Sequence, residues 1–402
     1  MESRPYRPIR RRATITYRIW EVERGRFTRF FEAGETPALP EIGSLFSRHA
    51  FTSDFSGSTG SVATRVLVAM NKMERVAAVL EGRRPDRPPV SFWHHFSADC
   101  AAGAKAVDAH VRHVETYDLD FLKIMDDNRY PRIGLPGGVI ADVRDLDRLS
   151  VLHGDEDSFG RQLELVGSLA HRYAGQIPMA TTVFNAWSTL RQMTAPDTGV
   201  HGPPVMEAGH DPKDAAMARL LSEAPEAFSR ALHVIAESTA NFVRHCLAAG
   251  ADGIYLSVRD DWVDAAGNGP GTYDRLVRPC DLRILRAARQ ATFNILHVCG
   301  KAVNFKRFAG YPVQVLSWAD RTAGPSIAAA ASWVKPALCA GVDNLGTLVT
   351  GSPAACIREV GDAIQQAGER PILVAPGCTF DPQAVPAANL HAIRQAVERS
   401  WP

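Results

Sequence analysis

From Lys72 onward, apolar and polar positions follow two alternating rhythms. In Met73-Glu74-Arg75-Val76-Ala77-Ala78-Val79-Leu80 the apolar residues recur at helical spacing; Gly82 ends the run, and Pro85-Asp86-Arg87-Pro88-Pro89 blocks its continuation. Short apolar runs follow, each bounded by turn residues and each preceded by a helical pattern. The runs fall at Val90 to Phe96, Phe121 to Met125, Pro178 to Val183, Gly253 to Val258, Phe293 to Cys299, Val313 to Trp318, Ala337 to Gly341 and Pro371 to Ala375. The helical segments are Asp108 to Tyr117, Phe159 to Ala174, Pro225 to Ala249, Tyr273 to Gln290, Val303 to Ala309, Ser326 to Ser332, Pro353 to Ala367 and Pro386 to Ser400. An eight-fold alternation over this length predicts a (β/α)8 barrel, an α/β TIM barrel, over residues 70–402. A doubly wound sheet would show a glycine-rich phosphate turn after its first strand, and none stands there. Gly134-Leu135-Pro136-Gly137-Gly138 reads as a connection, and Leu190 to Asp211 as a longer insertion over the barrel mouth.

Residues 1–69 break the rhythm. Arg4, Arg7, Arg10, Arg11, Arg12, Arg18, Arg24, Arg26 and Arg29 crowd the start, and Phe51 to Gly60 is rich in Ser and Gly with no apolar period. The segment reads as a basic, disordered N-terminal extension, with Met70 or Met73 as the natural start of the folded part; a transit peptide or an anionic-surface tether is the competing reading.

Composition changes the picture only at the margins. A chain of 402 residues with 46% hydrophobic residues and a net charge of +1 is an ordinary globular protein, and its neutrality argues against a nucleic-acid partner. Seven scattered cysteines form no disulfide framework. With no signal peptide and no apolar run long enough to span a bilayer, the expected setting is the reducing cytoplasm, away from membranes.

The candidate chemistry lies in Ile295-Leu296-His297-Val298-Cys299-Gly300 and Pro376-Gly377-Cys378. Side chains two apart on a strand share a face, so His297 and Cys299 can reach one ion, and imidazole and thiolate are preferred zinc ligands. Barrel chemistry sits at the carboxyl ends of the strands. His297 and Cys299 close the fifth strand and Cys378 closes the eighth, which makes these three the candidate ligands of Zn2+. The competing reading is a buried strand with a hydrogen-bonded core histidine and small apolar thiols. The same rule gathers His94, His95, Asp126, Asp127, Asn128, Asn185, Trp187, Arg259, Asp260 and Asp320 around the mouth. One of the adjacent His94 and His95 can enter it, and His94 is taken as a proton-moving or substrate-binding candidate. Asp120 and Lys123 are candidates for an electrostatic role, with a structural ion pair as the alternative. Trp93, Phe96, Trp187, Trp262 and Trp318 could wall a bulky ligand or fill the core.

Several stretches resemble the uroporphyrinogen decarboxylase superfamily. Met73-Glu74-Arg75-Val76 through Glu81-Gly82-Arg83-Arg84-Pro85-Asp86-Arg87-Pro88-Pro89-Val90 is similar to its opening helix and turn. Tyr117 to Lys123, Ala249 to Ile254, His297-Val298-Cys299-Gly300, and Gly377-Cys378 followed by Pro386 and Asn389 are similar to later blocks. The porphyrinogen decarboxylases of that superfamily carry an arginine-rich block where this chain reads Ser91-Phe92-Trp93-His94-His95-Phe96, without arginine. Its zinc-dependent methyltransferases carry H-x-C and a distant Cys, which match His297, Cys299 and Cys378. The resemblance implies a zinc site that activates a thiol and a methyl group moved between a corrinoid such as methylcobalamin, or a related donor, and that thiol. A corrinoid protein and a homodimeric partner are implied with it. A decarboxylase-type lyase of tetrapyrroles and a non-catalytic corrinoid-binding barrel are the alternatives.

Overall fold

The computed structural model describes residues 22–23, 26–27, 69–197, 211–264 and 268–399. In the first of its two compact units, Val22–Glu23 (β1) pairs antiparallel with Arg26–Phe27 (β2). The expected disorder of residues 1–69 otherwise falls almost wholly outside the described residues.

The second unit opens with the helix Lys72–Leu80, whose start is fixed by a capping box: Asn71 accepts from the Glu74 N–H, and Glu74 accepts from the Asn71 N–H. Seven parallel strands then form one curled sheet in chain order: Leu122–Ile124 (β3), Met179–Phe184 (β4), Gly253–Val258 (β5), Ile295–Val298 (β6), Val315–Trp318 (β7), Ala337–Val342 (β8) and Ile372–Pro376 (β9). Helices between the strands cover the sheet, as parallel strands require.

The period-two alternation of the strands sorts their side chains into two cores. Ile254, Leu256, Leu296, Val298 and Leu316 pack outward against the helices. Tyr255, Ile295, Val315, Cys339 and Leu373 pack inward with Trp93, Phe121 and Phe293. His297 and Cys299 share the parity of Ile295, and that parity turns them toward the concave side.

Two expectations need correction. Val90 to Phe96 is no strand of seven residues; a single parallel bridge joins Val90 to Val374 of β9. Pro88 and Pro89 have no N–H to give, and the Val90 N–H is spent on the Asp120 carboxylate at 2.9 Å. The backbone there still meets both neighbours: the Asp120 N–H donates to Val90 O, and the Ser91 N–H donates to Val374 O. Leu190 does not begin an insertion either. It lies buried in the helix Ala186–Met193, and a further helix, Pro212–Glu223, begins where the expected insertion ends, ahead of the expected helix from Pro225. Asp211 caps that second helix by accepting from the Lys213 N–H, with Pro212 at its first position.

Candidate metal centre

β6 sets the centre. His297 is paired in register with Ser257 on β5 and Ser317 on β7, and it is 2% exposed. Its Nδ1 lies 3.2 Å from Ser317 Oγ, while its Nε2 is buried with no hydrogen-bond partner among the described residues. An unsatisfied buried polar atom costs roughly 1–3 kcal/mol, so it needs a ligand or a reason. One residue beyond the strand, the Cys299 N–H donates to Val258 O at 2.9 Å, carrying the ladder on far enough to place its thiol beside the histidine.

Gly300 then turns the chain with φ +123°; a Cβ there would lie 2.5 Å from the Asp261 carboxylate. On the other side of the centre, the Gly377 N–H donates to Val342 O, and a Cβ at Gly377 would lie 2.7 Å from Ala319 Cα. The glycine lets β9 end close against its neighbours, and Cys378 follows at once.

The structure brings the three expected ligands together. Cys299 Sγ and Cys378 Sγ are 3.8 Å apart, and one ligand atom from each of His297, Cys299 and Cys378 lies within 4.8 Å of the others. Two sulfurs each about 2.3 Å from one zinc ion at a tetrahedral angle would stand roughly 3.8 Å apart. The donor set therefore fits a tetrahedral ion with one position left over. All seven cysteines are free thiols.

Electrostatics divide the two thiols. Cys378 is held well below the usual thiol range because it accepts a hydrogen bond from Cys299, and His297 and Lys123 add to this against the effect of burial. Cys299, donating to Cys378 and buried, is pushed well above it. A divalent cation bound between them would draw the protons off both thiols.

Lys123 lies on the same concave side. It is 6% exposed, its Nζ is 4.0 Å from the Tyr255 ring centroid and 5.3 Å from that of Trp93, and Tyr255 stacks on His297 at 5.4 Å. Burial lowers the Lys123 ammonium to about 8, although the thiols of Cys378 and Cys299 and the carboxylate of Asp127 pull the other way.

The structure does not bring Asp120 to this centre. Asp120 precedes β3, at the amino-terminal end of the sheet, where it is fully buried between Arg75 Nη1 at 2.8 Å and Arg87 Nη1 at 2.6 Å. There it forms ion pairs with arginines rather than with Lys123. His94 is half-buried at the opposite end, with its Nδ1 2.8 Å from His95 O and its ring 5.4 Å from that of Phe380, just past Cys378. Burial pulls the His94 pKa down. His95 is held by Asp127, Nδ1 to Oδ1 at 2.6 Å. Of the five aromatic candidates, Trp93, Trp187 and Trp318 are core residues. Trp262 is gripped between the Arg191 and Arg259 guanidiniums, 3.7 and 4.1 Å from its ring centroid.

Sequence reasoning did not single out Tyr255, Ser317 or Asp261. Asp261 takes Arg259 Nε at 2.6 Å and the Lys301 N–H at 3.0 Å, bracing the turn after Cys299. A polar residue inside each apolar run, Tyr255 in one and Ser317 in another, is the signal that could have found the first two.

The family model for uroporphyrinogen decarboxylase (URO-D) matches residues 122–400. A curated relative, the uroporphyrinogen decarboxylase of Carboxydothermus hydrogenoformans, is 26% identical over 252 residues, which cover 60% of this chain and 63% of that protein. The chain thus spans less than two thirds of the length of this relative. Among solved structures, a methyltransferase from Methanosarcina mazei superposes with a TM-score of 0.61 at 15% identity, over 82% of this chain and 98% of that one.

Proposed function

The chain belongs to the uroporphyrinogen decarboxylase family, and from that premise we propose that it is a zinc-dependent methyltransferase moving a methyl group between a corrinoid, or a related donor, and a thiol. The observation that carries the reading is the convergence of a ring nitrogen of His297, Cys299 Sγ and Cys378 Sγ within 4.8 Å of one another, with the sulfurs at the spacing of two zinc ligands. We also take the Val90 segment as the missing first stave that closes the sheet into a (β/α)8 barrel, on the strength of its backbone bonds to both neighbours.

His297, Cys299 and Cys378 would hold the ion; bound there, zinc supplies the Lewis acidity that keeps an incoming thiol in its nucleophilic, deprotonated form. Ser317 fixes the imidazole through Nδ1 and leaves Nε2 for ligation. The Asp261–Arg259 pair and Gly300 hold Cys299 in place, and Gly377 does so for Cys378. His94 and Phe380 stand on the side from which a bulky donor would approach. The seven free thiols suit a reducing, cytoplasmic setting, and no described helix is long and apolar enough to cross a membrane.

The test is elemental analysis of the purified chain together with methyl transfer from methylcobalamin to a small thiol. About one equivalent of zinc is expected, lost in Cys299→Ala and in Cys378→Ala with the circular dichroism unchanged, since the two cores do not depend on the ion. Failure to bind zinc, or equal zinc in all three proteins, sinks the reading.

The curated relative favours a second reading, tetrapyrrole decarboxylation. The stretch Ser91 to Phe96 offers no guanidinium fork for several carboxylates at once. No coproporphyrinogen is expected from uroporphyrinogen above a no-enzyme control, and its appearance at an enzymatic rate would promote the decarboxylase. A non-catalytic corrinoid-binding barrel predicts neither product.

A further inference from the structure

Resting on the proposed metal centre, we infer that Lys123 is the counter-charge that makes this centre select an anionic sulfur ligand over a neutral one. A divalent ion held by two thiolates and a neutral imidazole has no net charge. A thiolate in the open position would leave the assembly with a charge of −1 on the buried concave side, where uncompensated charge is costly. Something nearby must carry the opposite sign.

The charged groups around the centre leave one choice. Arg259 is engaged by both carboxylate oxygens of Asp261, at 2.6 and 3.1 Å. Asp127 is engaged by His95 at 2.6 Å. His94 is pulled toward its neutral form by burial. Lys123 alone is a buried cation that forms no ion pair among the described residues; its ammonium is supported instead by the faces of Tyr255 and Trp93. Its field reaches both sulfurs and Asp127. Tyr255, the ring beneath it, stacks on the candidate ligand His297.

A buried lysine costs stability unless its charge is used, and pairing with a carboxylate would have used it within the protein. Here the charge faces a site whose own ligands already balance the ion. It therefore favours entry of R–S⁻, with the thiol proton released to the buffer, over entry of water or any other neutral donor. Lys123 acts through charge, without touching the reacting atoms, and is a specificity residue.

The experiment uses the full chain with Co2+ in place of zinc, titrated with 2-mercaptoethanol and separately with imidazole at one pH. Ligation is read from the cobalt d–d bands and the sulfur-to-cobalt charge-transfer band. The parent, Lys123→Met, Lys123→Gln and Lys123→Arg are expected to hold the metal equally. Affinity for 2-mercaptoethanol should fall on the order of ten-fold in the Met and Gln variants, about 1.4 kcal/mol, and largely recover in the Arg variant. Affinity for imidazole should not change. Equal 2-mercaptoethanol affinity in parent and Lys123→Met overturns the inference, as does a parallel loss for imidazole, which is what a merely structural lysine would give. If Lys123→Met and Lys123→Gln take up no cobalt while the parent does, Lys123 builds the site rather than selects its ligand, and the inference is wrong. A parent that takes up no cobalt removes the metal centre and the inference with it. A parent that loads cobalt but whose bands do not change with 2-mercaptoethanol leaves the metal centre standing and overturns the inference alone.

Discussion

At the scale of single residues, two buried charges of this protein have opposite fates. Asp120 is fully buried, and every acceptor position is taken: Arg75, both Nη atoms of Arg87, and the Val90 N–H bond its two oxygens at 2.6 to 3.0 Å. This network ties the helix Lys72–Leu80, the turn before Val90 and the start of β3 into one knot at the amino-terminal end of the sheet. Replacing Asp120 by Asn leaves Arg75 with Asp86 and Arg87 with the exposed Glu398, but removes the one fully buried carboxylate that both guanidiniums share. A loss of roughly 3–5 kcal/mol is expected, the usual consequence of removing one member of a buried ion pair. Zinc content per folded molecule should stay at the parental value, because the knot and the proposed metal centre lie at opposite ends of the strands. Urea unfolding and metal analysis of the same preparation decide it; a loss below about 1 kcal/mol would mean that Asp120 is not the hub. Lys123, only three residues on, has no such partners. It is the middle residue of β3, turned to the concave side against Tyr255 and Trp93.

At the scale of elements, the strands were legible wherever an apolar run had turn residues on both sides, as in β5 to β9. The first run was misread because period and composition say nothing about where an N–H is spent, and Val90 gives its own to a side chain from another segment. The helix Pro212–Glu223 escaped because its apolar stripe is thin, with Met217 and Leu220 as its buried apolar residues; Asp211-Pro212 was its only clear mark. His297 and Cys299 could be paired from strand parity alone. Cys378 needed the curl of the sheet, and Tyr255 and Ser317 needed the stagger between strands, which no local pattern encodes. The helix Gly103–Tyr117 supports a prediction of its own. It buries His110 and His113, one turn apart, and burial above all lowers them from 6.5 to about 4 and about 3. His110 accepts from the Met125 N–H through Nε2, an arrangement that only a neutral ring permits. Their folded pKa values lie below the unfolded one, so the unfolded chain binds more protons between about 4 and 6.5 and stability rises with pH across that window. The contribution is complete above about 6.5 and is lost as pH falls. Melting followed from pH 7 down to 5 should show a falling midpoint in the parent and a shallower fall in His113→Gln. Parallel slopes would show that the histidines do not drive the acid lability.

At the scale of the whole molecule, every described member of both cores lies between Val76 and Val397. The folded part also holds its own entrance: the Met70 N–H donates to Asp86 Oδ2 at 3.0 Å, and Arg75 Nη2 donates to Met70 O at 2.6 Å. Arg75 in turn grips Asp86 and Asp120, so the order imposed at residue 70 is anchored in the knot below the sheet. A chain starting at Met70 would replace that N–H with an ammonium facing the same carboxylate, which keeps the contact and adds a charge pair. A shortened chain is therefore expected to fold, to melt within about 5 °C of the full chain and to keep its metal, since about 1 kcal/mol moves the midpoint of a large domain by only a few degrees. Differential scanning calorimetry and zinc analysis of the two chains measure it. A larger drop, or an insoluble product, would mean that residues before Met70 pack onto the sheet or its helices and belong to the fold.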